Sequence, residues 1–249
     1  MEQWLIVGIN GITNGGKTTL ASKLENYFLE RRGQEIKTGI EINRVELINQ
    51  DDYFREIDDP KHQKIEKLNH LNWEIIDAIN TDRLIDDIMK IVGKNFVLYN
   101  TQSKSLHVDH ENLFAHHYAT NYNSMLKYNN ELMLNNDDGN HLNYKHVKHN
   151  FLLNILIIEG FLIFNHPVTF DICNIKFHLH VPYEVCFERR KKREYNPPDV
   201  LGYFEMVVWP EYERNLQNFK HRKDVTFLNG QASPEKCFDF VLNSLINEL

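Results

Sequence analysis

The feature that most constrains the fold is the octapeptide GITNGGKT at residues 11–18. It follows the apolar run at residues 4–9, which is typical of a buried strand. It precedes apolar residues at helical spacing, Leu20, Leu24 and Phe28. The pattern G-x-x-x-x-G-K-T between a strand and a helix is that of a phosphate-binding loop. The sequence therefore predicts an α/β fold built around such a loop.

The residue types in this loop match the chemistry of phosphate binding. Glycines let backbone N–H groups converge on phosphate oxygens, and the helix N-terminus adds a partial positive charge. Lys17 can reach the outer phosphates, and the Thr18 hydroxyl can ligate Mg²⁺. We therefore expect the chain to bind a nucleoside triphosphate with Mg²⁺. The alternative is a chance match in a turn, against which the flanking strand and helix argue.

Length and composition set the class of protein. A chain of 249 residues can form one α/β domain with a lid or an insertion. The net charge of −7 argues against general attraction to nucleic acid or to an anionic membrane. No apolar run approaches ~20 residues, and the N-terminus lacks the basic region of a secretory signal. With three scattered cysteines, we expect a cytoplasmic protein with free thiols. The sequence gives no indication of oligomeric state.

Two acids follow apolar runs that read as parallel strands. Asp51 comes after the run at 45–48, and Glu159 ends the run at 155–158. Ligands bind at the carboxyl ends of strands in open α/β sheets, so Asp51 is a candidate catalytic base. Glu159 is a candidate Mg²⁺ partner, through a water molecule. The adjacent Asp52 is interpreted as a solvated loop acid or a helix cap.

Other segments are assigned from their patterns. Residues 34–44 are predicted to be a polar connection, and residues 55–70 an irregular, mobile surface segment. A helix with an apolar stripe is predicted from residues 71–74 through Met89. Further strands are predicted at 95–99, 176–181 and 225–228, and the last helix is predicted to begin at Ser233 and Pro234.

An unusual segment spans residues 100–150, with 11 asparagines and 7 of the 13 histidines of the chain. We interpret it as an insertion that is loop-like or partly disordered. Its histidines invite a metal-site interpretation, but no carboxylate or cysteine joins them at ligand spacing.

The basic run ERRKKR at residues 188–193 stands out in an acidic protein. It follows Pro182 and reads as a helix that the Asn-Pro-Pro-Asp sequence at 196–199 ends. We interpret residues 183–210 as a lid that lays guanidinium groups over a transferring phosphate. The alternative is a solvated helix face.

Several stretches together resemble the nicotinamide riboside kinases, a branch of the uridine-kinase-like P-loop kinases. They read GINGITNGGKTTLA, INQDDYF, LNWEIIDAIN, ILIIEGFLIFN, VPYEVCFERRKKREYNPPD, GYF and VWPEY. The phosphate loop alone is shared by very many proteins, whereas the combination of QDDYF, IIEGFL, YNPPD and VWPEY is far more specific. The resemblance covers most of the chain outside residues 33–44 and 100–150.

The resemblance implies one P-loop kinase domain over residues 1–249, with a five-stranded parallel sheet flanked by helices and a small lid. The implied reaction is ATP- and Mg²⁺-dependent phosphorylation of the ribose 5′-hydroxyl of nicotinamide riboside. ATP would be bound by Gly11, Thr13, Asn14, Gly15, Gly16, Lys17, Thr18, Thr19 and Arg193. The nucleoside would be bound by Asp51, Trp73, Glu74, Arg190 and Tyr195, with Asp51 and Lys17 catalytic. Thr18 and Glu159 would hold the metal.

Two positions depart from the family. Trp73 replaces a tyrosine at a stacking position, and Glu74 replaces an aspartate that holds the ribose hydroxyls. A pair of aromatic rings, Trp73 and Tyr195, would suit a flat cationic ring, since aromatic faces attract cations by ~0.5–2 kcal/mol.

Three other functions are weighed against this one. A uridine or cytidine kinase is the nearest alternative. A GTPase switch is disfavoured because the Asn-Lys-x-Asp pattern that reads guanine is missing from the sequence. A non-catalytic nucleotide-binding module is disfavoured because Lys17, Asp51 and Glu159 are all present.

Overall fold

The computed structural model describes residues 2–93, 95–99, 106–109 and 151–249, with only the backbone described at 95 and 106–109. Most of the insertion predicted at 100–150 lies outside the described residues, and so do the side chains of its histidines.

Ten strands occur in the described part of the chain. In chain order they are β1 (Glu2–Gly11), β2 (Glu35–Lys37), β3 (Ile40–Asn49), β4 (Lys64–Ile65), β5 (His70–Leu71), β6 (Asn95–Leu98), β7 (Leu106–Asp109), β8 (Phe151–Gly160), β9 (Ile175–His180) and β10 (Val225–Asn229).

The central sheet has five parallel strands in the order β10-β9-β1-β8-β3. This confirms the predicted five-stranded parallel sheet. Three strands extend it: β2 pairs antiparallel with β3, β6 pairs with β1 at Trp4 and Leu98, and β7 pairs antiparallel with β6. The strands β4 and β5 form a separate two-stranded hairpin. The carboxyl ends of β1, β3 and β8 therefore meet at one edge of the sheet.

The strands β1 and β8 are buried on both faces, which accounts for their continuous apolar runs. Because successive strand residues point to opposite faces, Trp4 and Ile6 enter one apolar core and Leu5 and Val7 enter the other. The sheet thus separates two cores, each of which is covered by helices.

Six α-helices occur among the described residues. They are α1 (Lys17–Leu29), α2 (Thr81–Val92), α3 (Pro167–Ile172), α4 (Tyr183–Arg190), α5 (Trp209–Leu216) and α6 (Pro234–Glu248).

The helices cover both faces of the sheet. The buried residues of α1 and α6 enter one core, and those of α2 and α3 enter the other. The side chain of Ser233 accepts a hydrogen bond from the Lys236 N–H at 3.3 Å, as predicted for an N-cap. None of the described helices is both long and apolar enough to cross a membrane.

The structure corrects four sequence-based predictions, the last of which concerns the start of α2. Residues 34–44 contain β2 and the start of β3 rather than a connection only. Residues 55–70 are not wholly irregular, since they contain β4 and the first residue of β5. The basic helix α4 ends at Arg190, before the Asn-Pro-Pro-Asp sequence.

The helix predicted from residues 71–74 begins instead at Thr81. The Asn80 side chain accepts the Arg83 N–H and fixes that start. Upstream, the Asn72 side chain accepts the Glu74 N–H at 3.0 Å. Asparagine side chains of this kind compete with helical hydrogen bonds, so residues 72–74 form a turn. The short strand predicted at 95–99 is confirmed as β6.

Candidate functional site

The phosphate loop makes a sharp turn between β1 and α1. Asn14 and Gly16 have left-handed backbones, with φ values of 58° and 97°. The Gly15 N–H donates to the Ile12 carbonyl at 3.0 Å. A Cβ at Gly11 would lie 2.6 Å from the carbonyl oxygen of Leu179, so only glycine fits there.

Two polar side chains of the loop converge at the N-terminus of α1. The Lys17 ammonium donates to the Ile12 carbonyl at 3.1 Å, so the side chain folds back over the loop. The Thr18 hydroxyl donates to Glu159 Oε1 at 2.7 Å. A cation, a hydroxyl and a carboxylate thus lie where the dipole of α1 favours an anion.

A cleft of about 560 Å³ opens beside this loop at the carboxyl edge of the sheet. The predicted residues that line it are Thr13, Asn14, Gly16, Lys17, Thr18, Thr19, Asp51, Trp73, Glu74, Arg190, Arg193 and Tyr195. Three predicted residues do not line it. Gly11 lies under the loop against β9, and Gly15 lines a smaller adjacent cavity. Glu159 does not line the cleft itself but accepts a hydrogen bond from Thr18, which does.

Glu159 is a buried carboxylate at the end of β8. Burial raises its pKa, while the Lys17 ammonium and the Thr18 hydroxyl oppose that rise. A hydroxyl and a carboxylate in contact are the oxygen donors that Mg²⁺ prefers, so the residues present fit this metal. Among the described residues, no group of three or more His, Cys, Asp or Glu side chains could hold a metal ion.

Asp51 lies just after β3 in a short 3₁₀ helix, Gln50–Tyr53. Its N–H donates to Asn49 Oδ1 at 3.0 Å, and its carboxylate is exposed at the wall of the cleft. The buried Gln50 side chain accepts the Leu162 N–H at 2.9 Å, which ties the end of β3 to the residues that follow β8. Asp51 is therefore held on a rigid edge, whereas Asp52 is exposed and does not line the cleft.

Arg190 is a buried guanidinium shared by two carboxylates. Its Nη1 lies 3.2 Å from Glu74 Oε1, and its Nε and Nη2 donate to Asp199 at 2.6 and 3.0 Å. Burial raises the pKa of Glu74, and the Arg190 charge partly offsets this. When both acids are ionised, this group carries one net negative charge next to Trp73.

The two predicted aromatic residues lie in the same cleft but have different neighbours. Trp73 makes edge contacts with Phe54 and His62, at centroid distances of 5.7 and 4.5 Å. The Tyr195 hydroxyl accepts from Asn14 Nδ2 at 2.8 Å, which ties the lid to the phosphate loop. The Arg190 guanidinium lies 4.3 Å from the centre of the Tyr195 ring. In the structure, the face of Tyr195 is therefore paired with a guanidinium.

Sequence reasoning missed several residues of the site. Arg189 donates to the carbonyls of Asn14 and Gly230 at 3.2 and 3.0 Å, and so joins α4 to the phosphate loop. Arg189 belongs to the basic run at 188–193, and Asp199 belongs to YNPPD. The sequence does not indicate which residues either of them bonds. Phe54 and Phe161 stack at 5.8 Å and line the cleft.

Comparison with known proteins also indicates a nucleoside kinase. Nicotinamide riboside kinase 1 of Homo sapiens is 28% identical over 98% of this chain and 93% of its own length. Nicotinamide riboside kinase 2 of Mus musculus is 26% identical over 98% and 97%. Further away, a uridine kinase of Vibrio parahaemolyticus is 20% identical over 92% and 89%. No protein-family model matches the chain.

Among solved structures, a possible uridine kinase from Bacillus stearothermophilus is similar over 90% of this chain and 89% of its own, with 14% identity and a TM-score of 0.41. The fold follows from the sheet topology described above. The relatives in sequence confirm the resemblance to nicotinamide riboside kinases and the prediction of a phosphotransferase of the nucleoside kinase class.

Proposed function

We propose that this chain transfers the γ-phosphoryl group of ATP to the ribose 5′-hydroxyl of nicotinamide riboside, giving nicotinamide mononucleotide. The observation that carries this proposal is one cleft that holds a phosphate loop, the exposed acid Asp51 and the Glu74–Arg190–Asp199 group beside Trp73. The nucleoside kinase relatives support the reaction class.

The donor side is built from the phosphate loop and the lid. On ATP binding, Lys17 would exchange the Ile12 carbonyl for a phosphate oxygen, because the ammonium is already folded over the loop. A second cavity of about 240 Å³, lined by Gly15, Arg189 and Gly230 among others, offers room for the base of ATP. Among the described residues Arg193 forms no ion pair, so its charge is available to phosphate.

Thr18 and Glu159 are the residues that would hold Mg²⁺. The metal, when bound, neutralises charge on the phosphate oxygens. Glu159 fits this role because it is a buried carboxylate, which is stabilised by a nearby positive charge.

Asp51 is the residue that would take the proton of the attacking hydroxyl. It lines the same cleft as the phosphate loop, and its backbone is held by the bond from its N–H to the Asn49 side chain. Phosphoryl transfer depends mostly on positioning and charge stabilisation, with general-base catalysis contributing ~10²–10⁴-fold.

The acceptor side favours a cationic ring. Glu74 can accept hydrogen bonds from ribose hydroxyls, and the group of Glu74, Arg190 and Asp199 carries a net negative charge when both acids are ionised. Trp73 presents the aromatic face with the strongest attraction for cations. Both features stabilise a pyridinium ring more than a neutral pyrimidine.

A pyrimidine nucleoside is the second candidate. Two buried atoms near the acceptor side, Trp73 Nε1 and His62 Nδ1, have no hydrogen-bond partner among the described residues. Both atoms are shielded from solvent, so a neutral base would use this donor and acceptor only after the Trp73 and His62 side chains move. The more distant uridine kinase relatives are consistent with this alternative.

A substrate panel tests the proposal. The purified protein is assayed with ATP and Mg²⁺ against nicotinamide riboside, uridine and cytidine, and kcat/KM is measured for each. We expect the highest kcat/KM for nicotinamide riboside. A higher value for uridine would replace the proposal with the pyrimidine alternative, and no turnover of any nucleoside would favour a non-catalytic module.

A further inference from the structure

Tyr203 lies next to the acceptor side of the cleft and contacts both Trp73 and Arg190. The side chain is 1% exposed. Its hydroxyl accepts the Trp73 N–H at 2.9 Å. The centroid of its ring lies 4.8 Å from the centroid of the His70 ring. The Arg190 guanidinium lies 5.7 Å from the centre of the Tyr203 ring.

We propose that Tyr203 is a positioning residue that holds Trp73 and Arg190 in register for the acceptor nucleoside. The identity of that nucleoside rests on the function proposed above, whereas the contacts of Tyr203 do not. Tyr203 belongs to the sequence GYF, which carries part of the resemblance and to which no role was assigned.

The acceptor turn, residues 72–74, needs such support because it belongs to no helix or strand. The Asn72 N–H donates to the Gln63 carbonyl at 2.8 Å, and other backbone groups of the turn bond to side chains. Besides the bond from Trp73 to Tyr203, the Glu74 N–H donates to Asn72 Oδ1 at 3.0 Å, and the Glu74 carbonyl accepts from Asn215 Nδ2 at 3.4 Å. The orientation of Trp73 and Glu74, which line the cleft, thus depends on hydrogen bonds to side chains.

Three side chains that bond this turn come from one stretch of the chain, residues 203–215. Tyr203 and Asn215 bond its backbone, and Glu211 accepts from Asn72 Nδ2 at 3.3 Å. Glu211 is itself buried and held by Arg214 at 2.8 Å. The segment at residues 202–215 therefore acts as a frame for the acceptor turn, and Tyr203 is its contact to both Trp73 and Arg190.

The hydroxyl of Tyr203 is the atom whose removal is most informative. Tyr203→Phe keeps the ring and its contacts with His70 and Arg190, but it leaves the Trp73 N–H without its acceptor. A buried N–H without a partner is unfavourable enough to shift the turn. We expect KM for the nucleoside to rise roughly 5- to 30-fold. KM for ATP should stay within about twofold, because the Tyr203 hydroxyl bonds the acceptor turn and no residue assigned to ATP.

Tyr183→Phe is the matched control. Tyr183 packs against the apolar cluster that contains Tyr203, and its hydroxyl has no hydrogen bond among the described residues. Both KM values and Tm are measured for the wild type and both variants. Equal rises in the two KM values of Tyr203→Phe would indicate general loosening of the fold and would overturn the proposal.

A second measurement needs no substrate. The chain has three tryptophans, and the contribution of Trp73 to the fluorescence is isolated by difference against Trp73→Leu. We expect acrylamide to quench Trp73 more strongly in Tyr203→Phe than in the wild type. The proposal requires both this change and the selective rise in nucleoside KM, so the absence of either overturns it. If uridine proves to be the substrate, the selective rise in nucleoside KM should appear with uridine and the quenching result should be unchanged, and only the function proposed above would fall.

Discussion

The Thr18 hydroxyl donates to Glu159 Oε1 at 2.7 Å and so joins the first turn of α1 to the end of β8. Lys17, one residue earlier, supplies the positive charge that lowers the pKa of the buried Glu159 against the effect of desolvation. A buried carboxylate is costly without such partners. The contact therefore joins the phosphate loop to the sheet edge at the site proposed above for Mg²⁺.

Glu159→Gln should weaken the binding of Mg²⁺ at this site and lower kcat. A neutral amide holds a hard cation less well than a carboxylate does, and loss of a supporting group typically costs ~10–100-fold in metal affinity or activity. We expect kcat to fall by about that factor and the Mg²⁺ concentration for half-maximal activity to rise. Mg²⁺ titrations at saturating ATP measure both, with the exposed Glu213→Gln as control. An unchanged Mg²⁺ requirement would remove Glu159 from the metal site.

Asp51→Asn should abolish most phosphoryl transfer and leave ATP binding nearly intact. The amide cannot accept the hydroxyl proton, and loss of a general base costs ~10²–10⁴-fold. Turnover and ATP affinity are measured separately. Asp52→Asn is the matched control, since this neighbouring exposed acid does not line the cleft. Near-normal turnover in Asp51→Asn would exclude it as the base.

The sheet and the phosphate loop could be predicted because their signals are local. The apolar run at 155–158 requires a strand buried on both faces, and one octapeptide predicts the turn that follows β1. The acid Asp51 could be found because the carboxyl ends of parallel strands always meet at one edge.

The acceptor side could not be predicted in the same way, because its geometry depends on contacts between distant residues. The apolar spacing after residue 74 suggested a helix, but the Asn72 side chain and the Tyr203 hydroxyl hold a turn there. The ion pairs of Arg190 depend on the path of the lid, which brings Asp199 back to it. The composition and residue spacing of the sequence do not predict that path.

His178 makes a prediction about stability. It is buried in β9 and accepts a hydrogen bond from Asn10 Nδ2 at Nδ1, so its Nε2–H donates to the Tyr212 hydroxyl at 3.1 Å. Burial lowers the pKa of His178 to about 3, whereas an unfolded histidine titrates near ~6.5. Below pH ~6.5 the unfolded state binds a proton that the native state does not. The free energy of unfolding is therefore complete above that pH and falls as the pH decreases through it.

Replacing this histidine should remove that part of the acid sensitivity. Between pH 7.5 and 5.5 the wild type should lose about 1 kcal/mol more unfolding free energy than His178→Gln does. Urea unfolding at the two pH values measures the difference. His221→Gln, at an exposed position, should behave like the wild type. Parallel pH dependence of the wild type and His178→Gln would show that His178 is not held neutral.

Trp73→Leu should separate the two nucleoside classes. Leucine keeps apolar bulk beside Phe54 and His62 but removes the π-face, whose attraction for a cation is worth ~0.5–2 kcal/mol. We expect kcat/KM for nicotinamide riboside to fall roughly 2- to 30-fold more than kcat/KM for uridine. Trp73→Tyr, which keeps an aromatic face, should retain most of the preference. Equal losses for both substrates in Trp73→Leu would mean that Trp73 only packs, because a packing contact does not distinguish a charged ring from a neutral one.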